Sequence, residues 1–99
     1  MIALANTYLF DRALHDINDA GRWYREQRAG LELELFDDIT NDLQKILQFP
    51  EMYRAFGGGF RQLPLKKFPY LVIYRVEQGV CYVFAIFHTA QDPAKLFSS

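Results

Sequence analysis

FRQLPLKKFPYLVIYRVEQGVCYVFAIFHTAQDP, residues 60–93, is the stretch that decides the fold. Its apolar runs are separated by turn signals, which predicts a β-meander with strands at 60–66, 70–77 and 80–87. Gln78-Gly79 is predicted as the turn between the last two strands, because glycine accepts the positive φ that a two-residue hairpin turn needs. The stretch therefore predicts a sheet in which consecutive strands run antiparallel.

The second and third of these strands are apolar on both faces, which is typical of central strands. Simple alternation groups their side chains as Tyr70, Val72, Tyr74 and Val76 against Leu71 and Ile73, and as Val80, Tyr82, Phe84 and Ile86 against Cys81, Val83, Ala85 and Phe87. The first strand contains Pro64, which has no N–H group to donate, so we expect this strand at an edge of the sheet or with a bulge.

The residues before the meander follow a helical period, after a short strand predicted at 7–10. A first helix runs from Arg12 to about Arg28, with Asp11 as its predicted N-cap, and Gly30 ends it. A second helix covers about 31–48 and stops before Pro50. The sequence thus predicts an α+β fold of order β-α-α-β-β-β, in which a two-helix hairpin covers one face of an antiparallel sheet of about four strands. Residues 51–59 are predicted as a loop.

Two helices can cover only one face of this sheet. The opposite face, also apolar, needs either a C-terminal flap or a protein partner, because large apolar patches usually mark interaction sites. Residues 94–99 are too short to be much of a flap. The pattern therefore favours a protein partner.

Size and composition limit the function classes. The 99 residues make a single domain with a net charge of −1, which lacks the basic excess usual in proteins that grip nucleic acid. One cysteine cannot form an internal disulfide and fits a reducing compartment. No apolar run is long enough for a membrane helix, and no signal peptide is evident at the N-terminus. We therefore expect a soluble cytoplasmic protein without membrane contacts, and the sequence indicates neither a metal site nor a cofactor.

Several short segments, in their order and spacing, carry a resemblance. They are Asp16-Ile17, Trp23-Tyr24, Phe68-Pro69-Tyr70, Tyr74-Arg75 and His88 through Pro93. With them the chain resembles the RelE/ParE superfamily of bacterial toxins from type II toxin–antitoxin pairs, often described as plasmid-stabilisation proteins, over nearly its whole length. The resemblance implies the fold predicted above. It also implies a small antitoxin partner, whose C-terminal segment wraps the toxin in a hetero-oligomer.

The superfamily implies two activities. RelE-like members cut messenger RNA in the ribosomal A site, whereas ParE-like members poison DNA gyrase by binding. The resemblance places the cationic residues of the ribonuclease branch at Gln62, Pro64, Leu71 and the segment 89–91, and its late tyrosine near Leu96 and Phe97. None of these side chains supplies a base or a permanent positive charge. We therefore expect a ParE-like toxin that targets gyrase. The alternatives are a ribosome-dependent endonuclease of RelE type and a defused member that only binds its antitoxin.

The sequence also offers candidate site residues. Arg61 and His88 are candidates for catalysis, although no catalytic residue is assigned. The candidates for binding a target or the antitoxin are Arg61, Lys66, Tyr70, Tyr74, Arg75 and His88. Each has a structural alternative: a surface ion pair for Arg61, a solvated loop for Lys66, a helix acid as partner for Arg75, a backbone carbonyl as partner for His88, and core packing for the two tyrosines.

Overall fold

A computed structural model describes residues 6–91, apart from the side chain of Phe56. The elements are β1 (Thr7–Leu9), α1 (Asp11–Gln27), α2 (Leu31–Gln48), β2 (Arg54–Phe56), β3 (Phe60–Pro64), β4 (Tyr70–Glu77) and β5 (Val80–His88). They form one sheet of strand order β1-β5-β4-β3-β2, with the α1–α2 hairpin on one face. The predicted α+β class and helical hairpin are confirmed. Leu96 and Phe97 lie outside the described residues.

The sheet differs from the prediction in two respects. It has five strands instead of about four, because Arg54–Phe56 pairs with Phe60–Gln62 as a further short strand. It is also mixed, because β1 runs parallel to β5 while the other pairs are antiparallel. The connection from β1 to β5 contains both helices and strands β2 to β4, and β5 then enters the sheet beside β1 and runs in the same direction. A parallel pair needs such a long connection.

The prediction that Pro64 lies in an edge strand or at a bulge is wrong, because β2 lies outside β3 and the pairing of β3 with β4 is regular. However, β2 pairs only with residues 60–62. Pro64 lies beyond this contact and pairs on its other side with Leu71 of β4. Its missing N–H group is therefore tolerated at the end of an internal strand.

The turns follow the glycine signals. Gly30 joins the helices with φ of 91°, and the β4–β5 turn has positive φ at both Gln78 (51°) and Gly79 (78°). Positive φ at both central residues is the backbone of a type I′ hairpin turn, which matches the twist of the strands. Asp11, the predicted N-cap, is instead the first helical residue, and the cap residue Phe10 makes no side-chain cap. The prediction for Asp11 is wrong, although an acid in the first turn still favours the helix dipole.

The main core lies between the helices and the sheet. Its fully buried members include Ile17 of α1, Leu35, Ile39 and Leu43 of α2, and Tyr74 of β4. At the crossing of the two helices Gly21 allows close contact, because a Cβ there would lie 2.8 Å from the ring of Phe36. The buried faces of both helices therefore fix how they lie on the sheet.

Alternation in β5 breaks at Phe84. Tyr74 pairs with Val83 and Ile73 with Ala85, so Phe84 is an extra residue in a β-bulge. Before the bulge Cys81 and Val83 face the helices; after it Ile86 does, in contrast to the simple alternation predicted. The bulge thus changes which side chains lie on the face away from the helices.

The face away from the helices was predicted to be uncovered, but part of it is buried. Ile73, Ala85 and Phe87 are buried on it, with Phe60, Leu71 and Phe84 packed around them. Tyr8 and Phe10 remain exposed at its β1 side. No helix among residues 6–91 is long and apolar enough to cross a membrane.

Candidate functional site

A groove of about 350 Å³ opens between α1 and the ends of β4 and β5, and we call it the α1 groove. Its polar and aromatic walls are Asp16, Asp19, Trp23 and Tyr24 of α1 and Tyr70 and His88 of the sheet. The four α1 residues fall at i, i+3, i+7 and i+8, which places them along one side of the helix beside its buried stripe. The groove brings together two of the predicted site residues, Tyr70 and His88.

Asp16 connects α1 to β5. β1 pairs with β5 only as far as Val83. Further along β5, the backbone N–H of Ile86 donates a hydrogen bond of 3.0 Å to Oδ2 of Asp16. Arg12 Nε lies 3.6 Å from the same oxygen. Burial raises the pKa of Asp16 above its ordinary value of 3.8, while the Ile86 N–H and Arg12 act in the opposite direction. This carboxylate therefore has a structural role in addition to any binding role.

A row of aromatic side chains continues from Asp16 across the groove. Trp23 contacts Tyr24 edge to face at 4.9 Å between ring centroids, and Tyr24 contacts Tyr70 in the same manner at 6.3 Å. Tyr70 then meets the His88 ring at 5.0 Å and 90°. Burial, the neighbouring Tyr24 and the charge of Asp16 raise the pKa of Tyr70, so its hydroxyl stays neutral. Trp23 is 54% exposed at the rim.

His88 is half-buried and its Nδ1 accepts a hydrogen bond of 3.0 Å from the backbone N–H of Ala90. The predicted structural alternative had His88 bonded to a backbone carbonyl; the partner is instead an N–H donor. An accepting Nδ1 places the proton of the neutral ring on Nε2. His88 is thus held by the turn that follows β5.

Arg61 and Tyr74 lie elsewhere, at the end of α2. Arg61 Nη1 donates to the carbonyl of Tyr53 at 2.8 Å and contacts that of Glu51 at 3.4 Å. The fully buried Tyr74 donates its hydroxyl proton to the carbonyl of Pro50 at 3.3 Å, and burial raises its pKa to about 12. Both side chains attach the segment after α2 to the sheet, and neither reaches the α1 groove.

Lys66 and Arg75, the remaining two candidates, lie apart from the α1 groove and from Arg61 and Tyr74. The Lys66 side chain is exposed, while its backbone N–H is bonded to Asp42 at 3.2 Å. Arg75 lies on the face away from the helices, where Glu77 is 3.2 Å away and the guanidinium lies 5.5 Å from the centre of the Phe60 ring. Pairing of Arg75 with a helix acid, the predicted alternative, is therefore wrong. The predicted site residues do not form one site.

The family of the chain follows from comparison with known proteins. The model of the ParE toxin of the type II toxin–antitoxin system, parDE, matches residues 9–93. The chain belongs to this family. No curated protein matches the sequence.

Solved structures agree on the fold of this ParE-family chain. It is similar to the chromosomal ParDE toxin–antitoxin system from P. aeruginosa, with a TM-score of 0.71 and 17% identity over 83% of this chain and 92% of that one. The intact E. coli RelBE toxin–antitoxin complex gives a TM-score of 0.60 with 19% identity, over 86% and 96% of the two chains. The isolated E. coli RelE toxin gives 0.58 with 19% identity, over 89% and 87%.

The sequence did not indicate the positions of four acidic residues of this ParE-family protein. Asp16 and Asp19 line the α1 groove, and Asp38 and Asp42 of α2 are buried. The i, i+4 spacing of Asp38 and Asp42 directly beside apolar positions was the available signal. Among the described residues no group of three or more His, Cys, Asp or Glu side chains is placed to hold a metal ion.

Proposed function

We propose that this ParE-family protein is a growth-inhibiting toxin that acts by binding DNA gyrase and is neutralised by a small antitoxin. The family model spans residues 9–93, and the structural likeness to the P. aeruginosa ParDE system covers 83% of the chain. Both comparisons support an antitoxin as the partner. The choice of gyrase over messenger RNA depends on the chemistry of β3 and β4.

The observation that carries this choice is the pairing of β3 with β4. Pro64 pairs with Leu71, and Gln62 lies two residues before Pro64, so the three positions that resemblance associates with ribonuclease catalysis are neighbours in the sheet. Cleavage of RNA through its 2′-hydroxyl needs an acid, a base and cations near the developing charge on phosphorus. An amide, a proline ring and an aliphatic chain provide none of these. This favours action by binding.

Arg61 and His88, the two candidates for catalysis, do not replace the missing acid, base and cations. Arg61 is held by carbonyls on the helix side of the sheet, with Gln62 next to it in β3 on the opposite side. His88 lies at the end of β5 beside Tyr70. Its Nδ1 is already bonded to the turn after β5. An arginine and a histidine held in different places cannot act on one phosphodiester together.

Expression in cells, with and without the neighbouring reading frame that would encode the antitoxin, tests the proposal. We expect growth arrest with loss of negative supercoiling in a reporter plasmid, intact messenger ends, and rescue by the antitoxin. The Arg61→Ala and His88→Ala variants separate the alternatives. Messenger cut at codon boundaries, and protected by either substitution in a variant that circular dichroism shows to be folded, would establish the endonuclease instead. Antitoxin binding without growth arrest would identify a defused member.

A further inference from the structure

We propose that the α1 groove is the docking site for an arginine side chain of the antitoxin. This inference rests on the proposed function, because it names a contact of the neutralising partner. It concerns a part of the molecule distinct from the Arg61–Tyr74 contacts at the end of α2 and from Arg75 on the opposite face.

The charge of the groove favours a cation. Asp16 and Asp19 line it, and within residues 6–91 no lysine or arginine is among the lining residues, although Arg12 and Arg22 pair with these two acids from outside. The Asp16 side chain is 20% exposed and uses Oδ2 for both Ile86 and Arg12, so Oδ1 remains as an acceptor for a ligand. Asp19 is engaged from outside the groove by His15 and Arg22. Asp16 is therefore the carboxylate that a bound cation would meet in the groove.

The aromatic wall favours arginine over lysine. Trp23 exposes more than half of its surface at the rim and is fixed by its edge-to-face contact with Tyr24. A guanidinium is planar, so it can stack on an indole face while its N–H groups fork onto a carboxylate. The lysine ammonium is a compact, strongly hydrated charge and loses the stacking contribution. An exposed tryptophan beside a partly buried carboxylate is thus matched to a guanidinium.

The shape of the groove supports one side chain instead of a larger ligand. Its volume of about 350 Å³ is near the lower end of small-molecule sites. Ala20 and Ile86, both almost fully buried, supply apolar lining for the methylene chain of an arginine.

A first experiment uses a probe independent of the antitoxin. Trp23 is the single tryptophan, so its indole N–H gives one cross-peak in a ¹H–¹⁵N spectrum. We expect N-acetyl-arginine-methylamide to shift this peak saturably, and the neutral isostere N-acetyl-citrulline-methylamide to bind about 10-fold more weakly or not at all. Asp16→Asn keeps an oxygen for the Ile86 N–H and should weaken arginine binding about 10-fold. The control Asp37→Asn, an exposed acid of α2, should leave it unchanged.

Equal binding of arginine and citrulline, absence of a saturable shift, or unchanged binding in Asp16→Asn would overturn the proposal. The second experiment measures antitoxin affinity by calorimetry. Trp23→Ala should weaken it about 10-fold, whereas Leu33→Ala, an equally exposed apolar residue of α2, should not. If the antitoxin binds wild type and Trp23→Ala alike, the docking site is wrong and the proposed function stands. If the arginine probe binds but no antitoxin does, the proposed function fails.

Discussion

Removing the carboxylate of Asp38 should destabilise the fold by about 2 kcal/mol, because it leaves a backbone N–H without its acceptor. Asp38 is 5% exposed, and its Oδ2 accepts a 2.8 Å hydrogen bond from the backbone N–H of Lys67 in the β3–β4 connection. Hydrogen bonds to charged groups contribute roughly 1.5–3 kcal/mol. Asp42 accepts a hydrogen bond from the adjacent Lys66 N–H and is slightly more buried. The two carboxylates together attach this connection to α2.

The control is Asp37→Ala on the same helix, where the acid is exposed. Alanine improves helix propensity by roughly 0.5 kcal/mol at either position, so the difference between the two variants isolates the buried bond. For a domain of this size the urea m-value is about 1–2 kcal/mol/M, so Asp38→Ala should lower the unfolding midpoint by about 1–2 M relative to Asp37→Ala. Asp38→Asn retains an accepting oxygen and should lose less.

Urea unfolding followed by circular dichroism measures these midpoints. Equal midpoints for Asp38→Ala and Asp37→Ala would refute the reasoning, since the bond to the Lys67 N–H would then contribute nothing. Equal midpoints for Asp38→Ala and Asp38→Asn would show that the charge matters more than the accepting oxygen.

Three further predictions concern residues outside α2. Arg61→Ala should destabilise the protein by about 1.5–3 kcal/mol through its bonds to the segment after α2; an unchanged thermal midpoint would instead favour a role in function. Burial raises the pKa of the Cys81 thiol to about 12, so a disulfide reagent at pH 8 should label it only after unfolding; fast labelling of folded protein would contradict its burial. Burial also raises the pKa of Asp16, so the folded state binds this proton more tightly, and stability falls as pH rises from 3.8 through the folded-state pKa. Asp16→Asn should therefore flatten this part of the profile of urea midpoint against pH. An unchanged slope in that variant would contradict the prediction.

The sequence predicted those features that depend on local chemistry. Gly30 and Gln78-Gly79 provide the positive φ at both hairpin turns, and the period of 31–48 predicted α2 at its observed bounds. The direction of β1 could not be predicted, because alternation says nothing about parallel or antiparallel pairing. β2 has only three residues and follows no detectable period.

The site was harder to predict than the fold, because its residues meet through the tertiary structure. The bulge at Phe84 shifts all later side chains of β5 by one position, so Ile86 faces the helices against the predicted alternation. Asp38 and Asp42 resemble surface acids until the β3–β4 connection is placed over them. The structural alternative given for Arg61 was a surface ion pair, but its partners are backbone carbonyls, which have no sequence signature.

Supercoiling of relaxed plasmid by purified gyrase is the measurement that tests the central claim most directly. We predict that the purified protein inhibits the reaction when present at about the concentration of the enzyme, and that prior mixing with the antitoxin restores it. Protein that is folded by circular dichroism and binds the antitoxin, yet leaves supercoiling unaffected, would contradict the claim that this ParE-family chain acts on gyrase.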